Sequence, residues 1–135
     1  MTQYRPPTKN SKYFVPSEVY LTVVHFCRQY PLWDAELRTD PDTSKGISYD
    51  KERVQSSNQY DATSDIAMRR AELARKKKLV EDTAEEVAGP LAQWVILGVT
   101  QGLTYFQLFD RGIPINKNIY YALRQRFYFE VSKKI

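Results

Sequence analysis

One cysteine and one histidine in 135 residues exclude several kinds of chemistry at the outset. Cys27 has no second cysteine with which to form an intrachain disulfide, which agrees with a reducing compartment, and the expected location is cytoplasmic. A metal site needs several His, Cys or carboxylate ligands at matched spacing, so His25 and Cys27 read as structural residues. A nucleophilic Cys-His pair would need an orienting third group, and none is in view. Glycine is also scarce, with five residues and no glycine-rich phosphate loop. No apolar run approaches the length of a bilayer span. The first ten residues are polar and carry Pro6-Pro7, so they are not expected to be a signal peptide. The expectation is a chain with no cofactor, no metal and no catalytic residue: a protein that is not an enzyme. Glu81, Asp82, Glu85 and Glu86 form a carboxylate run that would suit Mg²⁺, but such runs are more often solvated helix faces.

What remains is an ordinary globular composition, 42% hydrophobic and 27% charged, with a formal charge of +4. The charges fall in blocks. Residues 1–30 are basic, 31–63 acidic, 64–79 basic, 80–89 acidic and 90–135 basic. A basic C-terminal third beside acidic segments implies one surface facing a polyanion.

Periodicity and punctuation divide the chain into an all-α plan. Residues 1–15 read as a flexible arm and 16–38 as N-terminal helices. In the first helix Ser17 is an N-cap candidate, and Val19, Val23, Phe26 and Tyr30 share a face. Residues 39–62 lose periodicity and read as a long polar loop. Capping candidates near Ser64 then open a long central helix over 63–88. Within it Ile66, Leu73, Val80 and Val87 make half of a heptad seam, which can lie on the domain or pair with a copy, leaving a homodimer open.

Residues 89–135 carry the chemistry. Gly89-Pro90 opens a helix that is apolar nearly all round, and Gly102 stops it. Thr104 can cap a short helix over 105–111. Gly112-Ile113-Pro114-Ile115-Asn116 makes a turn, and Asn116 caps a final helix over 117–134. A short helix, a turn and a longer basic helix give the outline of a helix-turn-helix. On a helical wheel Ile119, Tyr120, Leu123, Phe127 and Val131 form the packed face, expected against Trp94, Leu97, Leu103, Phe106 and Leu108. The opposite face carries Lys117, Asn118, Tyr121, Arg124, Gln125 and Tyr128 with no acid, and these are residue types that read double-stranded DNA. Lys117, Asn118, Tyr121 and Arg124 are the expected base or near-base contacts; Gln125, Arg126 and Tyr128 are the expected flanking contacts. Asn116 and the adjacent N–H groups offer a place for a phosphate. The bland alternative for the same face is a solvated surface.

Two further features are ambiguous. Arg69, Arg70, Arg75 and Lys76-Lys77-Lys78 spread around the long helix, fitting a solvated surface better than auxiliary phosphate contact. The chain has ten Tyr, six Phe and two Trp; Tyr105, Phe106, Phe109, Tyr120, Phe127 and Phe129 are expected to be mostly core, with the excess pointing to a protein interface.

A family resemblance rests on Asp61-Ala62-Thr63-Ser64-Asp65-Ile66-Ala67-Met68-Arg69-Arg70-Ala71-Glu72-Leu73, Leu79-Val80-Glu81-Asp82-Thr83-Ala84, Gly98-Val99-Thr100-Gln101-Gly102-Leu103-Thr104, Gly112-Ile113-Pro114-Ile115 and Tyr120-Tyr121-Ala122-Leu123-Arg124-Gln125-Arg126-Phe127. These segments, with residues 13–30 and Pro31-Leu32-Trp33, resemble small proteins of Firmicutes phages and prophages, similar to the ArpU/RinA-type phage transcriptional regulators. The C-terminal helix-turn-helix of that family resembles region 4 of sigma factors. The resemblance implies a late-gene transcription activator in a bacterial host cell, with host RNA polymerase as a further partner and a reading helix over 116–134. Two other classes stay open: a phage assembly protein such as a small terminase subunit, and a host-directed protein-interaction module.

Overall fold

The structure, a computed structural model, describes residues 12–39 and 56–135, with side chains of the second stretch from residue 63 onward. The helices are α1 (Ser17–Arg28), α2 (Tyr30–Arg38), α3 (Ser56–Ala88), α4 (Ala92–Gln101), α5 (Tyr105–Asp110) and α6 (Lys117–Ser132), with a 3₁₀ turn at Gly89–Leu91 between α3 and α4. Among the described residues there is no strand. The fold is therefore the all-α small bundle with a long central helix that the sequence leads one to expect. No described helix is long and apolar enough to cross a membrane.

The ends of several elements differ from expectation. α3 begins at Ser56, so Thr63, Ser64 and Asp65 lie inside a helix that they were expected to start. Such residues cost only a few tenths of a kcal/mol in a helix interior, too little to stop one. Pro16, not Ser17, occupies the cap of α1, and no side chain bonds there; the Tyr20 N–H donates to the Pro16 carbonyl at 2.8 Å. The expected arm ends early, because Val15 is buried and the Tyr13 ring meets Phe129 edge-on at 5.4 Å. The rest of the arm, residues 1–11, and most of the polar loop, 40–55, lie outside the described residues.

The chain divides into two compact units. The smaller holds α2 from Leu32 and α3 up to Lys77. Here the basic cluster of α3 finds its partners. Arg69 grips the Glu36 carboxylate with two bonds, the longer at 3.0 Å. Arg70 donates to the carbonyls of Glu36, Leu37 and Thr39, acceptors at and just beyond the end of α2. Lys77 pairs with Asp34 at 3.0 Å, Arg75 with Glu72, and Lys76 lies over the buried Trp33 ring. These cations bind α2 to α3 or pair along the surface of α3.

The larger unit holds α1, the end of α3 from Lys78, and α4 to α6. α1, α4 and α6 pack on one another. α1 buries Tyr20, Val23, Val24 and Cys27, a face offset by one position from the expected one, and Val19 is exposed. His25 faces solvent while Cys27 is sealed, so the two do not converge. Burial pushes the Cys27 thiol far above its ordinary range, which makes it inert. From α3, Val80, Thr83, Ala84 and Val87 join this core. With Leu73 also buried, the heptad seam is mostly spent within the chain, and only Ile66 is left exposed. The carboxylate run is likewise occupied: Tyr30 donates to Glu81 at 2.5 Å, Lys78 pairs with Asp82, and Lys134 with Glu86.

Gly98 lets α4 and α6 approach closely. A Cβ there would collide with the Tyr120 hydroxyl and press on Leu108 Cδ1 at 3.2 Å. That hydroxyl is buried without a hydrogen-bond partner among the described residues, and burial pushes its pKa up to about 12 despite the nearby Arg124 guanidinium. Gly98→Ala is expected to cost roughly 1–3 kcal/mol by overpacking. Tyr120→Phe, which removes an unsatisfied buried hydroxyl, should be neutral or mildly stabilising and should suppress most of the Gly98→Ala penalty. Urea denaturation of both single variants and the double variant checks this; additive costs would show that the two residues do not interact.

In the smaller unit the Lys77 ammonium holds the Asp34 carboxyl below its usual range, and the Arg69 guanidinium does the same for Glu36. A carboxyl whose folded pKa is depressed stabilises above its unfolded pKa, and that contribution is lost as pH falls through the folded value. Glu36→Gln should therefore flatten the acid limb of stability against pH. Urea midpoints measured from neutral pH downward test it, and parallel curves for the two proteins would contradict it.

Candidate nucleic-acid interface

The C-terminal helices are joined by two tight reversals. Gly102 adopts φ 67°, a left-handed conformation, and the Leu103 N–H closes on the Gly98 carbonyl at 3.0 Å. The Arg28 guanidinium lies against Gly102 at the carbonyl end of α4, where a cation is favoured. Thr104 then caps α5 as expected, in a reciprocal box with Gln107. α5 ends in a Schellman arrangement: the Ile113 N–H donates to Leu108 and the Gly112 N–H to Phe109, with Gly112 at φ 97°. Leu108 and Ile113 are both buried in one cluster with Tyr105 and Tyr120. The Tyr105 hydroxyl donates to the Ile115 carbonyl at 2.6 Å and so ties down the turn. Asn116 caps α6, its side chain accepting from the Ile119 N–H at 2.9 Å.

α6 is where the structure corrects the sequence most. Its packed face is Tyr120, Arg124, Phe127, Tyr128 and Val131. Arg124 is 8% exposed and Tyr128 is 3% exposed, so neither presents a side chain for base or phosphate contact. Tyr121 is half-buried; its hydroxyl accepts from the Tyr105 N–H at 3.2 Å, and its ring lies 4.4 Å below the Arg124 guanidinium carbon. Tyr128 meets Tyr20 of α1 edge-on at 5.3 Å. The reason is a second packing partner. α6 packs against α4 and α5 on one side and against α1 on the other, so the buried stripe turns by about half a residue step from the face expected against α4 and α5 alone.

Asn116, Lys117, Asn118 and Arg126 are exposed, and Gln125 is half-exposed. The same surface includes Ala122 and Ile119, the latter 48% exposed although it was expected in the core. Phe106 and Phe109 were also expected to be core and are 64% and 60% exposed; the Lys117 ammonium sits 5.2 Å from the Phe106 ring centre. Tyr105, Tyr120 and Phe127 are buried as expected. A signal for the true phase was available in Tyr128, eight residues after Tyr120 and so on the same helical stripe, where a large ring is more readily packed than left in solvent.

Electrostatically the surface is one-sided. From Tyr105 to Ile135 there are two acids, Asp110 and Glu130, and Glu130 is half-buried and paired with Lys133 at 3.2 Å. Arg111, Lys117 and Arg126 are exposed, and no ion pair joins them to a described carboxylate. Among the described residues no group of three His, Cys, Asp or Glu converges to hold a metal ion. Comparison with family models, with curated proteins and with solved structures finds no match.

Tyr121→Phe keeps the ring beneath Arg124 and removes the acceptor for the Tyr105 N–H. A loss of about 1 kcal/mol in urea denaturation is expected. No loss would mean that the bond does not hold the start of α5 against α6.

Proposed function

We propose that the protein binds double-stranded DNA through α5, the turn and α6, with the exposed N-terminal half of α6 entering the major groove. The observation that carries this is the solvent face of α6 and its approach: Asn116, Lys117, Asn118, Gln125 and Arg126, with no acid between Arg111 and Phe129. Asn and Gln suit adenine, Arg suits guanine, and Lys suits phosphate or guanine. The tight turn and the buried cluster beneath it give this face a rigid support, as major-groove reading requires. Arg124, Tyr128 and Tyr121 act from below, orienting the helix without touching the duplex.

On this basis the protein is a binding module, not an enzyme. The resemblance to ArpU/RinA-type regulators makes transcriptional control in a phage or prophage the specific form of the proposal, exercised in the bacterial cytoplasm. The exposed rings of Phe106 and Phe109 beside the reading helix supply an apolar contact for a protein partner, and host RNA polymerase is the one that form of regulation implies. Self-assembly has less support, because the α3 seam is mostly buried within the chain.

Exchanging both Lys117 and Arg126 for alanine should weaken binding to every duplex and lower the slope of log K against log salt by about two. Exchanging Arg75 and Lys78, which are held in ion pairs, should leave that slope unchanged. Fluorescence anisotropy at several salt concentrations measures both. Equal slopes for wild type and the Lys117/Arg126 variant would remove α6 from the interface.

A further inference from the structure

We infer that the reading face of α6 selects thymine-containing sequences, through the 5-methyl groups of thymine packed against Ile119 and Ala122. This rests on the duplex-binding role of α6 proposed above and specifies what that surface reads. Its starting point is an anomaly of the fold. Ile119 lies in the first turn of α6, where the core was expected to take it, yet it stands in solvent. Ala122 follows on the same side, one turn from Asn118. Neither is needed by the core, which α6 supplies from Tyr120, Phe127 and Val131.

The surroundings identify what these apolar groups meet. Asn118 and Arg126 flank them, both exposed, with Lys117 at the helix start and Arg111 in the turn. A protein partner that covered Ile119 would have to cover this acid-free, cation-bearing border as well. The edge of a duplex supplies phosphates for the cations and, in the groove, one apolar group: the thymine methyl, which Ala and other small apolar side chains contact. Asn118 beside them matches the N6/N7 edge of adenine, so the amide and the apolar pair favour neighbouring A·T pairs. The axial rise from Asn118 to Ala122 is about 6 Å, enough to face two consecutive base pairs. Arg126, a further turn along, reaches a flanking guanine or a phosphate.

The test uses the full chain and a library of random duplexes. Selection should enrich sites with adjacent A·T pairs. In the best site each thymine is then replaced singly by uracil, which removes the methyl alone. Wild type should lose about three- to fivefold in affinity at one or two positions, the equivalent of one buried methyl group. Ile119→Ser should bind the thymine site with that same loss and become indifferent to the uracil exchange. Because Ile119 is exposed and only its N–H takes part in the cap, the variant should keep the wild-type circular dichroism and thermal transition. Binding without any uracil effect, or an uracil effect that survives in Ile119→Ser, overturns this inference and leaves duplex binding standing. Failure to bind any duplex overturns both.

Discussion

The contact of Tyr120 with Gly98 decides how the C-terminal half of the protein presents itself. A glycine in α4 lets α6 come close enough to bury a whole tyrosine, hydroxyl included, without a partner for that hydroxyl. An unsatisfied buried hydroxyl has a real cost, so the packing around the ring must repay it. Tyr105, Leu108 and Ile113 do so from α5 and the turn. With Tyr120 fixed inward and α1 packed on the adjoining side, the helical step fixes the other residues of α6. Arg124, Phe127, Tyr128 and Val131 follow it into the interior, and Asn118, Ala122 and Arg126 are turned to solvent. Which side chains of α6 stay exposed is thus set by the Tyr120 contact together with the packing of α1.

The sequence was most legible where the signal is local. Thr104, Asn116 and Gly102 perform the terminal roles that their residue types indicate, because capping involves neighbours three or four residues away. The order and type of the helices from residue 89 onward follow from the same punctuation. The phase of α6 was not legible, because it depends on what lies on each side. Sorting residues by polarity puts arginine and tyrosine outside and isoleucine inside. Here α1 packs on the side bearing Tyr128, and Ile119 is left 48% exposed. α1 itself shows the same weakness on a smaller scale: Tyr20 and Val24 replace Val19 on the buried face.

Charge blocks proved a poor guide to which cations are left without a carboxylate partner. The densest basic run, from Arg69 to Lys78, is matched by Glu36, Asp34, Glu72 and Asp82 and by the carbonyls at the end of α2. Those partners lie 31 or more residues away in the case of Arg69 and Arg70, beyond the range of any local pattern. The sparser cations Arg111, in the turn, and Lys117 and Arg126, in α6, have no ion pair with a described carboxylate. Availability, not density, separates the two groups, and availability is a tertiary property.

Arg124 shows how a buried cation serves a surface it never reaches. It stacks on Tyr121, and Tyr121 accepts a hydrogen bond from the first N–H of α5. The stack therefore couples the middle of α6 to the start of the preceding helix, while Tyr105 couples that start to the turn through Ile115. α5, with only six residues, is too short to be stable by itself and is held by these two bonds, both made by its first residue, and by the capping box at Thr104. The aromatic side chains it leaves exposed, Phe106 and Phe109, are carried on a helix whose orientation is set by α6. A molecule that docked on those rings would therefore be linked to the position of α6. The linkage needs no moving part beyond a short helix whose first residue is already fastened to α6 and to the turn.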